Sequence, residues 1–142
     1  MKKNHEIEGN SALVLASESS ARRLILMKLK LVFDVIAPDF DETAQPGVAP
    51  AEVALVNAQG KAGSVASKLA GRPNANAIII GSDQVCCMDS GMVLHKPGSV
   101  DRAIDQLAQA SDQWLTFYSS LVLVRHGVVE RSSVESCAVK LR

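Results

Sequence analysis

Residues 77–87 read Ala-Ile-Ile-Ile-Gly-Ser-Asp-Gln-Val-Cys-Cys, and the rest of the chain is best interpreted outward from this stretch. Ile78, Ile79 and Ile80 form an apolar, β-branched run, which is typical of a strand buried on both faces. We expect that strand to stop at 81–82, so that Asp83 follows its end. A carboxylate held there suits a general base or a metal ligand. Asp83 could equally cap the turn after the strand, and this stretch alone does not separate the two interpretations.

The composition indicates a soluble globular protein with one domain. The chain has 142 residues, of which 47% are hydrophobic and 21% charged. Its formal net charge of +0 argues against a nucleic acid polymer or an anionic membrane surface as the main partner. Cys86, Cys87 and Cys137 form neither a disulfide framework nor a zinc-binding spacing, which favours a reducing compartment. We predict a cytoplasmic protein with a flexible tail over 1–10 and a single domain over 11–142.

The sequence on either side of this stretch predicts both strands and helices. A first strand should be followed by a helix that Ser19 or Ser20 caps, and Pro50 and Gly71 should bound a long second helix. A third helix should begin after Ser99. The predicted strands are 12–16, 31–37, 78–80, a hairpin of 85–88 with 92–95, and a pair of 114–124 with 128–139; the first two helices are 21–29 and 51–70.

A serine-rich loop and two arginines follow the first predicted strand. Ser17, Ser19 and Ser20 precede Arg22 and Arg23, which fall in the first helical turn. Hydroxyls, guanidinium groups and free backbone N–H groups at a helix N-terminus together make an anion site. The alternative is two solvated arginines on an amphipathic helix. The strand, loop and helix order favours phosphate binding.

Further charged residues lie near the ends of predicted strands and within the long helix. Asp41 and Glu42 belong to an acidic loop directly after a strand, where carboxylates are either solvated or neutralised by a metal. Lys61 lies in the middle of the long helix, where a lysine is usually a solvated surface residue. Lys96 precedes Pro97, which holds it in an extended backbone.

Cations and hydroxyls suit phosphate oxygens, and carboxylates suit a divalent metal and a water molecule. The combination predicts metal-assisted cleavage of a phosphoanhydride, with Mg²⁺ or Mn²⁺ as the cofactor. The carboxylates available for the metal are Asp41, Glu42 and Asp83.

Several motifs in order resemble the Maf family of nucleoside triphosphate pyrophosphatases. They are Ala-Ser-Glu-Ser-Ser-Ala-Arg-Arg-Leu from Ala16, Asp41-Glu-Thr, Ala58-Gln-Gly-Lys-Ala, Ile80-Gly-Ser-Asp-Gln-Val, Lys96-Pro97 and Thr116-Phe-Tyr-Ser-Ser-Leu. The resemblance runs from about Leu13 to the last residue. It implies an elongated α/β fold with a mixed sheet, of the Maf/Ham1 type, a central nucleotide cleft and, as in many members, a homodimer. It also implies cleavage between the α and β phosphates, which yields a nucleoside monophosphate and pyrophosphate.

The resemblance also implies roles for single residues. Asp83 corresponds to the proton acceptor, and Gln84 to a position that selects the base. Ala21 stands where the 7-methyl-GTP subgroup has Trp, so it lacks a ring that could stack on a methylated base. The resemblance places Ser17, Arg22, Glu42, Lys61 and Lys96 at polar positions of the family cleft. With the anion site, the residues predicted to bind substrate are Ser17, Ser19, Arg22, Arg23, Lys61 and Lys96.

The form Gly81-Ser-Asp-Gln resembles the 7-methyl-GTP subgroup, whereas the dTTP and UTP subgroup has Ala-Asp-Thr in place of 82–84. The family pattern continues with a helix and a final motif beyond Arg142, so we expect a C-terminally truncated Maf-like domain. Two alternatives to a 7-methyl-GTP pyrophosphatase stay open. One is a catalytically impaired, nucleotide-binding relative with a regulatory role, and the other is a pyrophosphatase of the dTTP and UTP type.

Overall fold

A computed structural model describes residues 12–42 and 46–142. The tail predicted over 1–10, and Thr43 of the Asp-Glu-Thr motif, lie outside the described residues. The α/β fold with a mixed sheet is confirmed. The elements are β1 (Leu13–Ala16), α1 (Ser20–Met27), β2 (Asp34–Ile36), α2 (Pro50–Leu69), β3 (Ile78–Met88), β4 (Val93–Leu94), α3 (Val100–Ala110), β5 (Trp114–Arg125) and β6 (Val128–Lys140).

The sheet has the strand order β2-β1-β3-β5-β6, and β4 pairs with β3 outside this path. Strand β1 is parallel to both β2 and β3, whereas β5 is antiparallel to β3 and to β6. The long strand β3 pairs with β1 over its first residues and with β4 near its end. This arrangement makes β3 the centre of the domain.

Helix α2 packs against one face of the sheet through small side chains. Its inner face presents Ala54, Ala58 and Ala62, which are buried, and the core beneath it includes Val14, Ile79, Val122 and Val124. A Cβ atom at Gly81 of β3 would overlap the backbone oxygen of Ala58, so helix and strand approach closely there. None of the described helices, α2 included, is both long and apolar enough to cross a membrane.

The opposite face of the sheet is open beside α1. There the structure has an apolar cavity of about 700 Å³. Its apolar lining comes mainly from alternate residues of three strands, from α1 and from the turn after it: Leu13, Leu15, Ile25, Leu26, Leu29, Ile78, Ile80, Leu121 and Leu123. Helix α3 begins after its Ser99 cap as predicted, but the side chains of its apolar face, Val100, Ile104 and Leu107, are exposed.

The prediction that the central strand stops at 81–82 is wrong. Strand β3 continues to Met88, so Asp83 lies inside the strand and not after its end. The reason is the antiparallel pairing with β5, which runs without interruption from Ile79 with Val124 to Met88 with Leu115. The backbone N–H and C=O groups of Gly81 and Ser82 therefore pair with a distant strand and do not form a turn. Two predicted strands are also shorter than expected, since β2 begins only at Asp34 and β4 has two residues.

Candidate functional site

Asp83 lies at the centre of the site as a buried carboxylate. Its exposed fraction is 7%. The Nζ atom of Lys61 lies 3.3 Å from Oδ1, and the Nδ2 amide of Asn57 donates a hydrogen bond of 2.9 Å to Oδ2. The Nη2 atom of Arg22 lies 4.0 Å from Oδ1. A negative charge that is withdrawn from water is therefore paired with one close cation and one at the limit of ion-pair distance.

Alternation along β3 and the helical repeat of α2 bring these groups together. Asp83 shares the helix-facing side of β3 with Ile79 and Gly81, because side chains two residues apart point to the same face. Asn57 and Lys61 are four residues apart on α2, so they also share a face. The close approach at Gly81 lets both side chains reach the carboxylate.

Lys61 also connects the site to the acidic loop. It is only 9% exposed, whereas a lysine in the middle of a helix is usually a solvated surface residue. Its Nζ atom contacts Glu42 Oε1 as well as Asp83. Asp41, the neighbouring carboxylate of the loop, is exposed.

The serine loop is held by its own hydroxyl groups. Ser19 caps α1 as predicted, because its Oγ accepts a hydrogen bond of 3.3 Å from the backbone N–H of Arg22. The backbone N–H of Ser19 donates to Ser17 Oγ at 3.0 Å, and Ser17 is buried. These bonds place Arg22 in the first turn of α1, close to Asp83.

A polar cavity of about 510 Å³ lies between this loop, the acidic loop and Lys96. All the predicted substrate-binding residues except Arg23 line it, and of the three carboxylates predicted to bind the metal only Glu42 does. The residues that line it are Ser17, Glu18, Ser19, Ser20, Ala21, Arg22, Pro38, Phe40, Glu42, Lys61 and Lys96. The cavity is therefore lined by three cationic side chains and by serine hydroxyl groups.

The two predicted specificity residues lie at the apolar cavity. Gln84 follows Asp83 along the strand, so it faces the opposite side of the sheet, where its Nε2 donates to Ser119 Oγ at 3.0 Å. Ala21, Ser19 and Arg22 line both cavities. The two cavities therefore share a border at the first turn of α1, and Asp83 lies there as part of the apolar cavity's lining.

The carboxylates do not form a metal cage by themselves. Within 12–42 and 46–142, no group of three or more His, Cys, Asp or Glu side chains is placed to hold a metal ion. Glu42 and Asp83 are linked only through Lys61. Mg²⁺ is often bound by one or two carboxylates together with substrate phosphates, and Glu42 and Asp83 are the carboxylates available here for such a site.

Two residues of the site were not predicted from the sequence. Asn57 has a local signal, its position one helical turn before Lys61, but an asparagine in a helix carries no chemistry by itself. Ser120 is 2% exposed, and its Oγ accepts from the backbone N–H of Asp83 at 3.1 Å and donates to the Ala54 carbonyl at 2.7 Å. Its role depends on the register of β5 with β3, which no local pattern indicates.

A family model described as Maf-like protein matches residues 12–142. The chain is 42% identical over 125 residues to the 7-methyl-GTP pyrophosphatase of Bordetella avium, which covers 88% of this chain and 60% of that protein. It is 40% identical over 119 residues to the 7-methyl-GTP pyrophosphatase of Burkholderia thailandensis, with 84% and 54% covered. A solved HAM1 protein from Coxiella burnetii shares the fold, with a TM-score of 0.55 at 17% identity over 89% of this chain and 69% of that chain. The chain thus spans between about half and three fifths of the length of these two curated relatives.

Proposed function

The chain belongs to the Maf family, and on this premise we propose that it hydrolyses the α–β phosphoanhydride of a nucleoside triphosphate to the monophosphate and pyrophosphate. The observation that carries the proposal is the buried Asp83 carboxylate, which contacts cations at the border of a polar cavity. The relatives named 7-methyl-GTP pyrophosphatase support the same class of reaction.

The polar cavity would bind the triphosphate. Arg22, Lys61 and Lys96 supply positive charge, and the serine loop supplies hydroxyl groups beside the N-terminus of α1. Phosphate oxygens are favoured at such a helix end because its free backbone N–H groups and dipole attract negative charge. These donors are also placed to stabilise the charge that develops on the phosphate oxygens during cleavage.

Asp83 would accept the proton of the attacking water. The water oxygen forms a bond to the α-phosphorus, its proton passes to the Asp83 carboxylate, and the bond from the α-phosphorus to the bridging oxygen breaks. Pyrophosphate leaves with the electrons of that bond. Lys61, at 3.3 Å, holds the carboxylate beside the cavity where the phosphates would lie.

The proposed cofactor is a divalent cation, Mg²⁺ or Mn²⁺. Glu42 and Asp83 would hold it together with phosphate oxygens, and Asp41 is the remaining predicted carboxylate of the loop. When bound, such an ion neutralises charge on the triphosphate and polarises the phosphorus–oxygen bonds.

The proposed substrate is 7-methyl-GTP. The names of the relatives support it, and so does the Gly81-Ser-Asp-Gln form. The base would lie in the apolar cavity near Ala21 and Gln84. The alternatives that act on dTTP or UTP are outcomes of the test. The homodimer, the exclusion of nucleic acid polymers and the cytoplasmic location stay predictions from the sequence.

The test measures pyrophosphate release from 7-methyl-GTP, GTP, dTTP and UTP, with and without Mg²⁺ or Mn²⁺. Asp83→Asn should lower kcat by at least about 100-fold, since a general base contributes that much or more. Asp112→Asn is the matched control, because Asp112 is an exposed carboxylate whose positive φ of 58° asparagine also adopts. Wild-type turnover in Asp83→Asn would remove Asp83 as the base. Nucleotide binding without any turnover of the wild-type chain would favour the impaired relative.

A further inference from the structure

We propose that Asn57 is a positioning residue for this reaction, and that it acts by fixing the orientation of the Asp83 carboxylate. The proposal rests on the proposed function, in which Asp83 accepts a proton. The two oxygens of Asp83 have different partners. Asn57 Nδ2 donates to Oδ2 at 2.9 Å, whereas Lys61 Nζ lies 3.3 Å from Oδ1 and Arg22 lies 4.0 Å from the same oxygen.

The carboxylate needs such a partner because its last torsion angle is loosely determined. The χ2 torsion of an aspartate has a broad, roughly twofold preference. Lys61 does not define the plane of the carboxylate, because an ammonium group is a compact charge with rotatable donors. The amide of Asn57 is planar and donates along one direction, so it selects the orientation in which Oδ1 faces the two cations.

A purely structural role explains this contact less well. The spacing of β3 and α2 is already set by Gly81 and by Ser120, which bonds to the backbone of both elements. Asn57 is only half-buried, so its amide could be satisfied by solvent and does not need Asp83 as a hydrogen-bond partner. It is also absent from the lining of both the polar and the apolar cavity. Its position is that of a group which acts on substrate only through Asp83.

This placement predicts a specific kinetic effect. Without the amide, the Asp83 carboxylate turns between orientations. A smaller fraction of the protein molecules then holds the carboxylate in the orientation that accepts the proton of the water. Asn57→Leu, which removes the donor at similar volume, should lower kcat by about 10–100-fold, the usual range for residues that orient a reacting group. The KM should stay within about twofold, because Asn57 contacts neither cavity.

The experiment compares Asn57→Leu, Asn57→Ala and Asn57→Asp with the wild-type chain. Asn57→Asp keeps the shape but replaces the donor by a like charge beside Asp83, so it shows the combined effect of losing the hydrogen bond and adding repulsion, and Asn57→Ala tests the loss of the donor alone where leucine disturbs folding. Asn76→Leu changes an exposed asparagine outside both cavities and should leave kcat unchanged. In an Asp83→Asn background, adding Asn57→Leu should lower the residual rate by less than about twofold, because two residues that act through one group are not additive.

Three results would overturn the positioning role while the wild-type chain stays active. They are a wild-type kcat in both Asn57→Leu and Asn57→Ala, a change confined to KM, and a full additional loss in the Asp83→Asn background. Absence of pyrophosphate release from the wild-type chain with every nucleotide and metal would instead overturn the proposed function, and the positioning role with it. The two failures are therefore distinguishable by the wild-type measurement.

Discussion

Replacing Lys61 by methionine tests whether the site is held together by charge. The variant keeps most of the aliphatic stem but removes the ammonium group between Asp83 and Glu42. At the 3.3 Å separation of Lys61 and Asp83, with an effective dielectric constant of about 20, the attraction is about 5 kcal/mol. Removing one partner of a buried pair typically costs about 3–5 kcal/mol, because the other charge is left without compensation.

We expect the lower end of that range, about 3 kcal/mol, because Arg22 at 4.0 Å and the Asn57 amide at 2.9 Å still face the carboxylate. For a domain of this size, such a loss corresponds to a fall in Tm of about 10 °C. Urea denaturation followed by the fluorescence of Trp114, the one tryptophan of the chain, measures the free energy of unfolding directly.

Lys68→Met is the matched control on the same helix. Lys68 pairs with Asp39 at 3.5 Å and donates to the Ala37 carbonyl at 2.7 Å, but its side chain is 38% exposed and that of Asp39 88%, so the cost should stay below about 1 kcal/mol. Adding Asp83→Asn to Lys61→Met should recover part of the loss, since a neutral amide does not need the cation. A loss under about 1 kcal/mol for Lys61→Met, or no recovery in the double variant, would refute the view that a buried charge pair stabilises the site.

Three further predictions follow from individual contacts. Ser120→Ala should lower the free energy of unfolding by about 1–3 kcal/mol, because it removes the buried hydroxyl that accepts from the Asp83 backbone N–H and donates to the Ala54 carbonyl; an unchanged urea midpoint would contradict this. Gly81→Ala should destabilise the fold strongly by overlap with α2, whereas Gly63→Ala, on the same helix with open space, should stabilise it by up to about 1 kcal/mol; equal midpoints would contradict the close approach. Partial burial raises the pKa of the Cys86 thiol, so at pH 8 iodoacetamide should modify the exposed Cys137 first, and the stabilisation from the half-buried Cys86 thiol should be lost as pH rises from its unfolded pKa through its folded pKa; faster labelling of Cys86 would contradict this.

Features that depend on neighbouring residues were predictable from the sequence. Ser19 caps α1, and Gly71 adopts a positive φ of 74° just after α2. His126 and Gly127 turn with φ values of 51° and 74° between β5 and β6. Each of these signals acts within about four residues, where sterics and local hydrogen bonds decide the conformation.

Features set by distant contacts were not predictable in this way. The Gly81-Ser82 pair resembles the end of a strand, yet β5 pairs with it from almost forty residues away and keeps it extended. The burial of Lys61 likewise depends on how closely α2 approaches β3. The resemblance to a family assigned Lys61 to the cleft, which its local pattern did not. The catalytic role of Asp83 stays a prediction until the variants are measured.

The alanines on the inner face of α2 also limit which mutations the site can accept. Ala54, Ala58 and Ala62 are fully buried and line neither cavity, yet they set the gap across which Asn57 and Lys61 reach the strand. One added methyl group at any of them would move the helix outward by a fraction of an ångström. The stability of the fold and the placement of Asn57 and Lys61 therefore depend on the same few atoms. Heritable adjustments of the catalytic rate are expected among core alanines as well as at the cavity wall.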